Sequence, residues 1–317
     1  MKNKSPIGSL LALMILWIAG CESGTSAPYA GSGAPPDTSN DGYGTPTSPA
    51  TDPYLGSQAG SAAPAASIAV ALASSASFES YLTDGSGRAL YMFANDVPGV
   101  SSSACTAACL DKWPVFDAKD ISVGAGLVAT DFTRFQRADG VWQTAFKGHP
   151  LYRFTMDTGA SVTGDGAAGR WYVARDYLAF VATKADLTPQ GAAMPAPYLT
   201  NRAGRTVYVF MNDTAGTATA APVSACVDKC LDAWPTWNAP STAGAMTLPS
   251  SMLATDFGQL ERSIAGATVK QLTYRGFPLY FHTPDIAAGE TTGHMSGAWR
   301  AIDPTAFPAA AAAAAAK

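Results

Sequence analysis

Apolar and polar positions alternate along this chain in short runs, each bounded by Gly, Pro, Asn or Asp. A period of two places alternate side chains on opposite faces of a strand. The pattern therefore predicts strands over residues 78–83, 90–94, 132–137, 141–146 and 151–154, and again over 260–264, 269–274 and 279–281. Asp84-Gly85-Ser86-Gly87 predicts a hairpin joining the first two runs, because glycine supplies the positive φ of a tight turn. In the second run Tyr91 and Phe93 share one face, and Leu90 and Met92 the other.

The runs are copies of one another. YLTDGSGRALYMFAND, residues 81–96, returns at 198–213 as YLTNRAGRTVYVFMND, with nine of sixteen positions identical. Its kernel, Tyr-x-Phe-x-x-Asp, occurs as Tyr91/Phe93/Asp96, Tyr152/Phe154/Asp157 and Tyr208/Phe210/Asp213, and more loosely as Tyr280/Asp285, where His282 takes the Phe position. A period of this kind means duplication of a structural unit. Each Asp stands before a Gly- or Pro-containing turn and reads as a strand terminator bonding its own backbone two residues on.

Between the motif copies lie Cys105-x3-Cys109-x3-Trp113-Pro114 and Cys226-x3-Cys230-x3-Trp234-Pro235. A spacing of four predicts one stripe of a helix about two turns long, ending where proline excludes the α conformation of the residue before it. Each half closes on a Gly-rich loop and a tryptophan strand, Thr163-Gly164-Asp165 to Trp171 and Thr292-Gly293-His294 to Trp299.

The flanks differ in composition. Residues 1–20 have a basic start and a short apolar run, and they end at Ala19-Gly20-Cys21. That is the pattern of an export signal whose cysteine takes a lipid, and Glu22 after it points to the outer membrane of a Gram-negative cell. Residues 21–66 are rich in Gly, Ser, Thr, Pro and Ala and read as a disordered tether, with a reach of about 35–40 Å by random-coil scaling. The expected order is then domain 1 over 67–182, a Pro-containing linker over 183–197, domain 2 over 198–306 and a low-complexity tail over 307–317. The expected fold class is mainly β: two tandem homologous small antiparallel β domains, each with one short Cys-bearing helix.

Charge narrows the functions open to such a chain. A net charge of −4 with no Lys/Arg cluster speaks against nucleic acid as a partner. Five cysteines in an exported chain divide into Cys21 for lipid and two pairs, Cys105/Cys109 and Cys226/Cys230. Each pair is expected as a structural disulfide, with a redox pair or a metal site as the alternatives. No metal or other cofactor is expected, since the three histidines do not recur between the halves. The pattern Cys-x-x-Cys-His of covalent haem does not occur, nor does Gly-x-Ser-x-Gly, so no catalytic residue is assigned. The repeated aromatics, with Trp113 and Trp234 at the helix ends, read as core, with a carbohydrate-binding platform as the alternative.

Taken together, the tyrosine-to-aspartate motif, Cys-x3-Cys-x3-Trp-Pro, Lys/Arg-Gly-x-Pro-Leu-Tyr and the Thr-Gly loop ending in Trp resemble the bacterial secreted-repeat lipoproteins over about 80–303. That family has no established general function. The resemblance implies an envelope-anchored protein, in some relatives suggested to act near extracytoplasmic electron transfer, and it assigns no catalytic residues. This sequence departs from the pattern at His282 and His294. The expected role is non-catalytic binding or scaffolding on a membrane reached by the lipid anchor, with an envelope protein or a redox partner as counterpart.

Overall fold

The computed structural model describes residues 69–184, 196–240 and 246–308. The export signal, Cys21 and the tether lie outside the described residues, as do 185–195 and 309–317. Fourteen short strands and two short helices are present in that part. In order they are β1 (Val70–Ala73), β2 (Tyr81–Asp84), β3 (Tyr91–Phe93), α1 (Ala108–Lys112), β4 (Phe132–Gln136), β5 (Trp142–Phe146), β6 (His149–Pro150) and β7 (Trp171–Val173). Then follow β8 (Ala179–Lys184), β9 (Ala196–Asn201), β10 (Tyr208–Phe210), α2 (Cys230–Ala233), β11 (Phe257–Ile264), β12 (Ala267–Tyr274), β13 (Phe277–Pro278) and β14 (Trp299–Ala301). None of the described helices is long and apolar enough to cross a membrane.

The chain is mainly β, in small antiparallel sheets that repeat in tandem. In module 1 the pairs are β1–β2, β3–β7 and the three-stranded β4–β5–β6. Module 2 repeats them as β8–β9, β10–β14 and β11–β12–β13. The turns that close β5 onto β6 and β12 onto β13 place Lys147-Gly148 and Arg275-Gly276 at positive φ, a left-handed pair suited to two-residue hairpins. A Cβ on Gly148 would meet the backbone nitrogen of Gly99 at 2.6 Å, so only glycine fits there.

Three local expectations are corrected. First, β3 pairs with β7, register Tyr91↔Val173 to Phe93↔Trp171, and meets β2 only at its start. The hairpin turn at Asp84 forms and Thr83 bridges Ala89, but the ladder stops there: β2 pairs with β1, because the edges of β3 are taken by β7 and by Tyr152. Second, residues 151–154 form isolated bridges, Tyr152 pairing with both Tyr91 and Val115. Third, the helices are about one turn long and exclude the first cysteine of each pair, since Ala107 and Asp228 take positive φ between the two. The break brings the Cα atoms to 5.4 and 5.3 Å, within the range a disulfide spans.

Each module divides its interior across that central strand. Leu90, just ahead of β3, and Met92 within it enter one cluster with Phe116, Phe132, Phe146 and Tyr172, while Tyr91 and Phe93 enter another with Trp113, Tyr152, Phe154 and Trp171. In module 2, Val207 and Val209 join the first kind of cluster and Tyr208 the second. Burial of both faces explains why β3 reads as a continuous apolar run.

The stretch expected to link two domains behaves differently at its ends. β8 runs to Lys184 and pairs with β9 from Ala196, so residues 185–195 join two strands of one hairpin. Leu178, Ala179 and Val181 pack in the module 2 core, and Phe180, between them, packs in the module 1 core. Residues 69–308 accordingly lie in one compact unit.

Where the modules meet, His149 is buried, its Nε2 lies 3.0 Å from the carbonyl oxygen of Arg202, and its Nδ1 has no partner. Burial holds its pKa down at about 4, so the folded state favours neutral imidazole. Because the folded value lies below the unfolded one, stability is lost as pH falls from about 6.5 to about 4, by roughly 1.4 kcal/mol per unit. Replacing His149 by phenylalanine, the residue module 2 has at Phe277, should remove this term. The stability gap between variant and wild type in urea melts should move in the variant's favour by roughly 2–3 kcal/mol between pH 7.5 and 4.5. A gap that is constant with pH would show that His149 does not titrate in this way.

Candidate functional site

The motif residues of each module converge on a local pseudo-twofold axis. The backbone N–H of Tyr91 donates to the carbonyl of Tyr152 at 2.8 Å, and that of Tyr152 donates back to Tyr91 at 3.0 Å. Tyr208 and Tyr280 make the same exchange at 2.9 Å in both directions. The side chains then cross over. Tyr91 Oη donates to Asp157 Oδ2 at 2.5 Å and Tyr152 Oη to Asp96 Oδ2 at 2.6 Å. In module 2, Tyr208 donates to Asp285 at 2.5 Å and Tyr280 to Asp213 at 2.8 Å. Each tyrosine is held by the aspartate of its sister repeat, never by its own.

The second carboxylate oxygen of each aspartate fastens a loop. Asp96 Oδ1 accepts from the N–H of Ala104 and Asp213 Oδ1 from that of Ala225, both at 2.7 Å, just ahead of the cysteines. Asp157 Oδ1 accepts from both the N–H and the hydroxyl of Thr163, at 2.8 and 2.6 Å. Asp285 takes the same pair from Thr292, at 3.0 and 2.5 Å. These bonds reach six to twelve residues along the chain, not the two expected of a turn-former. All four aspartates are buried. A buried carboxylate is tolerable when its lone pairs are this fully occupied.

Burial also moves the proton equilibria. Desolvation, then the neighbouring carboxylate, pushes the Tyr91, Tyr152, Tyr208 and Tyr280 phenols well above their usual range, which keeps them neutral donors. Asp96 is pushed up to about 6 by burial, against the lowering effect of the Tyr152 hydroxyl and the Ala104 N–H.

Beside this exchange stands a column of four rings. Phe93 stacks on Trp171 at 4.2 Å, Trp171 on Trp113 at 3.8 Å with planes 1° apart, and Trp113 on Phe154 at 4.3 Å. Module 2 repeats the order as Phe210, Trp299, Trp234 and His282, with spacings of 4.5, 3.8 and 4.2 Å. His282 thus takes the place of Phe154 without interrupting the stack, and its Nδ1 lies 3.1 Å from the Thr292 hydroxyl. The second departure is equally conservative in geometry: His294 Nδ1 accepts the N–H of Ala301 at 3.1 Å where Asp165 accepts that of Val173 at 2.8 Å. Gly164 and Gly293 let the loop lie on the column, since a Cβ there would meet the indoles of Trp113 and Trp234 at 2.7 and 2.6 Å. Their N–H groups donate to the Tyr91 and Tyr208 hydroxyls.

The disulfides Cys105–Cys109 and Cys226–Cys230 are formed, and each lies against the aromatic cluster of its module. Cys105 and Cys226 are fully buried. A brace absent from the sequence reading holds their loops. Arg137 Nη2 donates to the Cys105 carbonyl at 2.7 Å and Nη1 to Gln143 Oε1 at 2.8 Å. Arg262 does the same to the Cys226 carbonyl and Gln271, at 2.8 and 3.1 Å. The Arg-to-Gln spacing is 6 in one module and 9 in the other, because the β11–β12 hairpin is longer than β4–β5. That difference hides the repeat from simple alignment.

None of three cavities found among the described residues is lined by a motif residue. One of about 190 Å³ is lined by Leu72, Tyr81, Leu82, Phe146, Lys147 and Arg175, among others, and contains none of the motif residues. No cluster of three or more His, Cys, Asp or Glu suited to a metal ion occurs among the described residues.

Three segments of the chain, 80–117, 133–175 and 197–237, match the model of a family described as a secreted repeat of unknown function. They cover three of the four repeats seen here, leaving the one that carries His282 and His294. No curated protein and no solved structure matches the chain.

Proposed function

We propose that this chain, which carries three matched copies of the secreted repeat of unknown function, is a lipid-anchored envelope protein with a non-catalytic binding or scaffolding role. The observation that supports a non-catalytic role is the fate of the signature residues. The tyrosines and aspartates satisfy one another in the module interior, and the aromatic column is stacked on itself. A group whose donors and lone pairs are spent inside the fold positions loops and has none left for a substrate.

The anchor is Cys21, after a signal of lipoprotein type, and Glu22 assigns it to the outer membrane. A tether of the composition seen in 21–66 holds the paired modules clear of the headgroups. The redox reading of the cysteine pairs competes with this one. Full burial of Cys105 and Cys226 shields one sulfur of each pair and favours staples, while Cys109 and Cys230 are half-buried, so the redox test that follows decides between the two readings.

Three measurements on the exported full chain test the reading. Cys21→Ser should move the protein from the membrane to the soluble exported fraction. In glutathione buffers of cellular poise both disulfides should stay oxidised. Removing one pair as Cys105→Ala/Cys109→Ala should cost about 2 kcal/mol, the chain-entropy value for a five-residue loop. Reversible reduction with the fold retained would favour the redox reading, and unchanged membrane association of the Ser variant would remove the anchor.

A further inference from the structure

Five of the six tryptophans among the described residues are 4–7% exposed and lie in the cores, whereas Trp142 is 41% exposed and belongs to none of the four hydrophobic clusters. A lone exposed apolar side chain is ordinary on a protein surface, so what surrounds Trp142 decides its meaning. Trp142 opens β5 opposite Gln136 of β4, and the alternation of the strands puts Arg134, Gln136 and Trp142 on one face. The Arg134 guanidinium lies over the indole, 4.2 Å from its centre. Asp117 holds that guanidinium by two bonds, Nε donating to Oδ1 at 2.5 Å and Nη2 to Oδ2 at 2.8 Å. The hairpin is braced at its tip, where the N–H of Arg137 donates to the Val141 carbonyl at 2.9 Å and Gln136 Nε2 to the Gly140 carbonyl at 3.0 Å. Indole and guanidinium are therefore ordered by folding, and a ligand does not have to order them.

The same place in module 2 lacks all three parts. Gln143 and Gln271 donate to the Leu151 and Leu279 carbonyls, and the N–H groups of Thr144 and Leu272 donate to the Phe116 and Trp237 carbonyls, which fixes the equivalence. Trp142 then corresponds to Lys270, Arg134 to Gln259 and Asp117 to Asn238. Lys270 is paired with Glu261 across the hairpin. One scaffold carries either surface, so the fold itself does not require an indole here.

We propose that Trp142, with Arg134 and Asp117, is a binding platform for a neutral glycan of β-linked, all-equatorial pyranoses. The axial C–H bonds of such a sugar make an apolar face that suits the open face of an indole, while its rim hydroxyls meet a carboxylate acceptor and a guanidinium donor. Lys119 lies near Asp117 and Asp120 near Arg134, so the surroundings hold two cations and two anions and favour an uncharged ligand. Burial closes the repeated aromatics to this role, and the tryptophan that does not recur is the one left open. The inference rests on the non-catalytic binding role proposed above and gives it a site and a ligand class. The anchor and disulfide tests read other properties, so a failure here leaves them standing and theirs leaves this one readable.

NMR titration of the nitrogen-labelled full chain, with Cys21→Ser to omit the lipid, tests this. Cellohexaose or chitohexaose should shift the Trp142 indole N–H and the amides of Arg134 and Gln136, saturating at millimolar concentration. Trp142→Ala should weaken binding by at least about tenfold, the effect of removing a central aromatic contact. The five core indole signals should stay in place, which shows that the variant is folded. Lys270→Ala should leave the titration unchanged. No saturable shift with either sugar, or shifts that survive Trp142→Ala, overturns the proposal. A hexaproline peptide that binds at Trp142 as well as the sugars do points to a protein ligand and overturns it likewise.

Discussion

Replacing Trp171 by alanine should destabilise the protein by about 3–5 kcal/mol, the range for emptying a large buried aromatic site. Trp171 is 4% exposed and touches three other rings: Phe93 and Trp113 by stacking, and Tyr152 edge-on at 5.1 Å. It also lies on β7, whose register with β3 carries the column. Loss of the indole leaves a gap between rigid neighbours that are themselves pinned by the tyrosine exchange, so collapse into the space is resisted. Urea denaturation followed by far-UV circular dichroism gives the measurement. Trp299→Ala, at the matching place in module 2, should behave alike. A loss below about 1 kcal/mol at both positions would mean that the columns contribute little to stability.

Breaking the crossed exchange should be nearly as costly, and a double-mutant cycle reads its wiring. Tyr91→Phe removes one hydroxyl and leaves Asp157 buried with one partner fewer, at a cost of about 1.5–3 kcal/mol for a hydrogen bond to a charged group. Combined with Asp157→Asn it should show a coupling of about 1–3 kcal/mol, as for residues in direct contact. The cycle of Tyr91→Phe with Asp96→Asn should show much less, although these two residues belong to one motif copy, five positions apart. Equal coupling in the two cycles would mean that the motif is satisfied within each repeat, and the pseudo-twofold arrangement would fall.

That contrast marks how far the chain could be read in advance. The repeats, the mainly β class, the placement of Tyr91 and Phe93 opposite Leu90 and Met92, and the cysteine pairing follow from local pattern, and the fold contains them. The aspartates were legible as strand ends yet not as partners of the sister tyrosines, because a hydrogen bond spanning 56 to 77 residues leaves no spacing to detect. Arg137 and Arg262 were missed for a related reason, since hairpins of unequal length shift them out of alignment. His282 and His294 look like losses of the motif in sequence. In the fold they keep the ring stack and the backbone acceptor, because imidazole is both flat and, when neutral, able to accept.

Sequence alone settled what is periodic: duplicated units, strand faces, turns that demand glycine, and cysteines close enough to join. Those properties depend on neighbours along the chain, where sterics and the alternation of a strand act over a few residues. Tertiary structure decided what is reciprocal: which tyrosine meets which aspartate, which module receives Phe180, and that Phe307 belongs to a core. Such choices are made by packing two similar units against each other, where the requirement that every buried polar group find a partner selects one arrangement, and no local rule carries that selection.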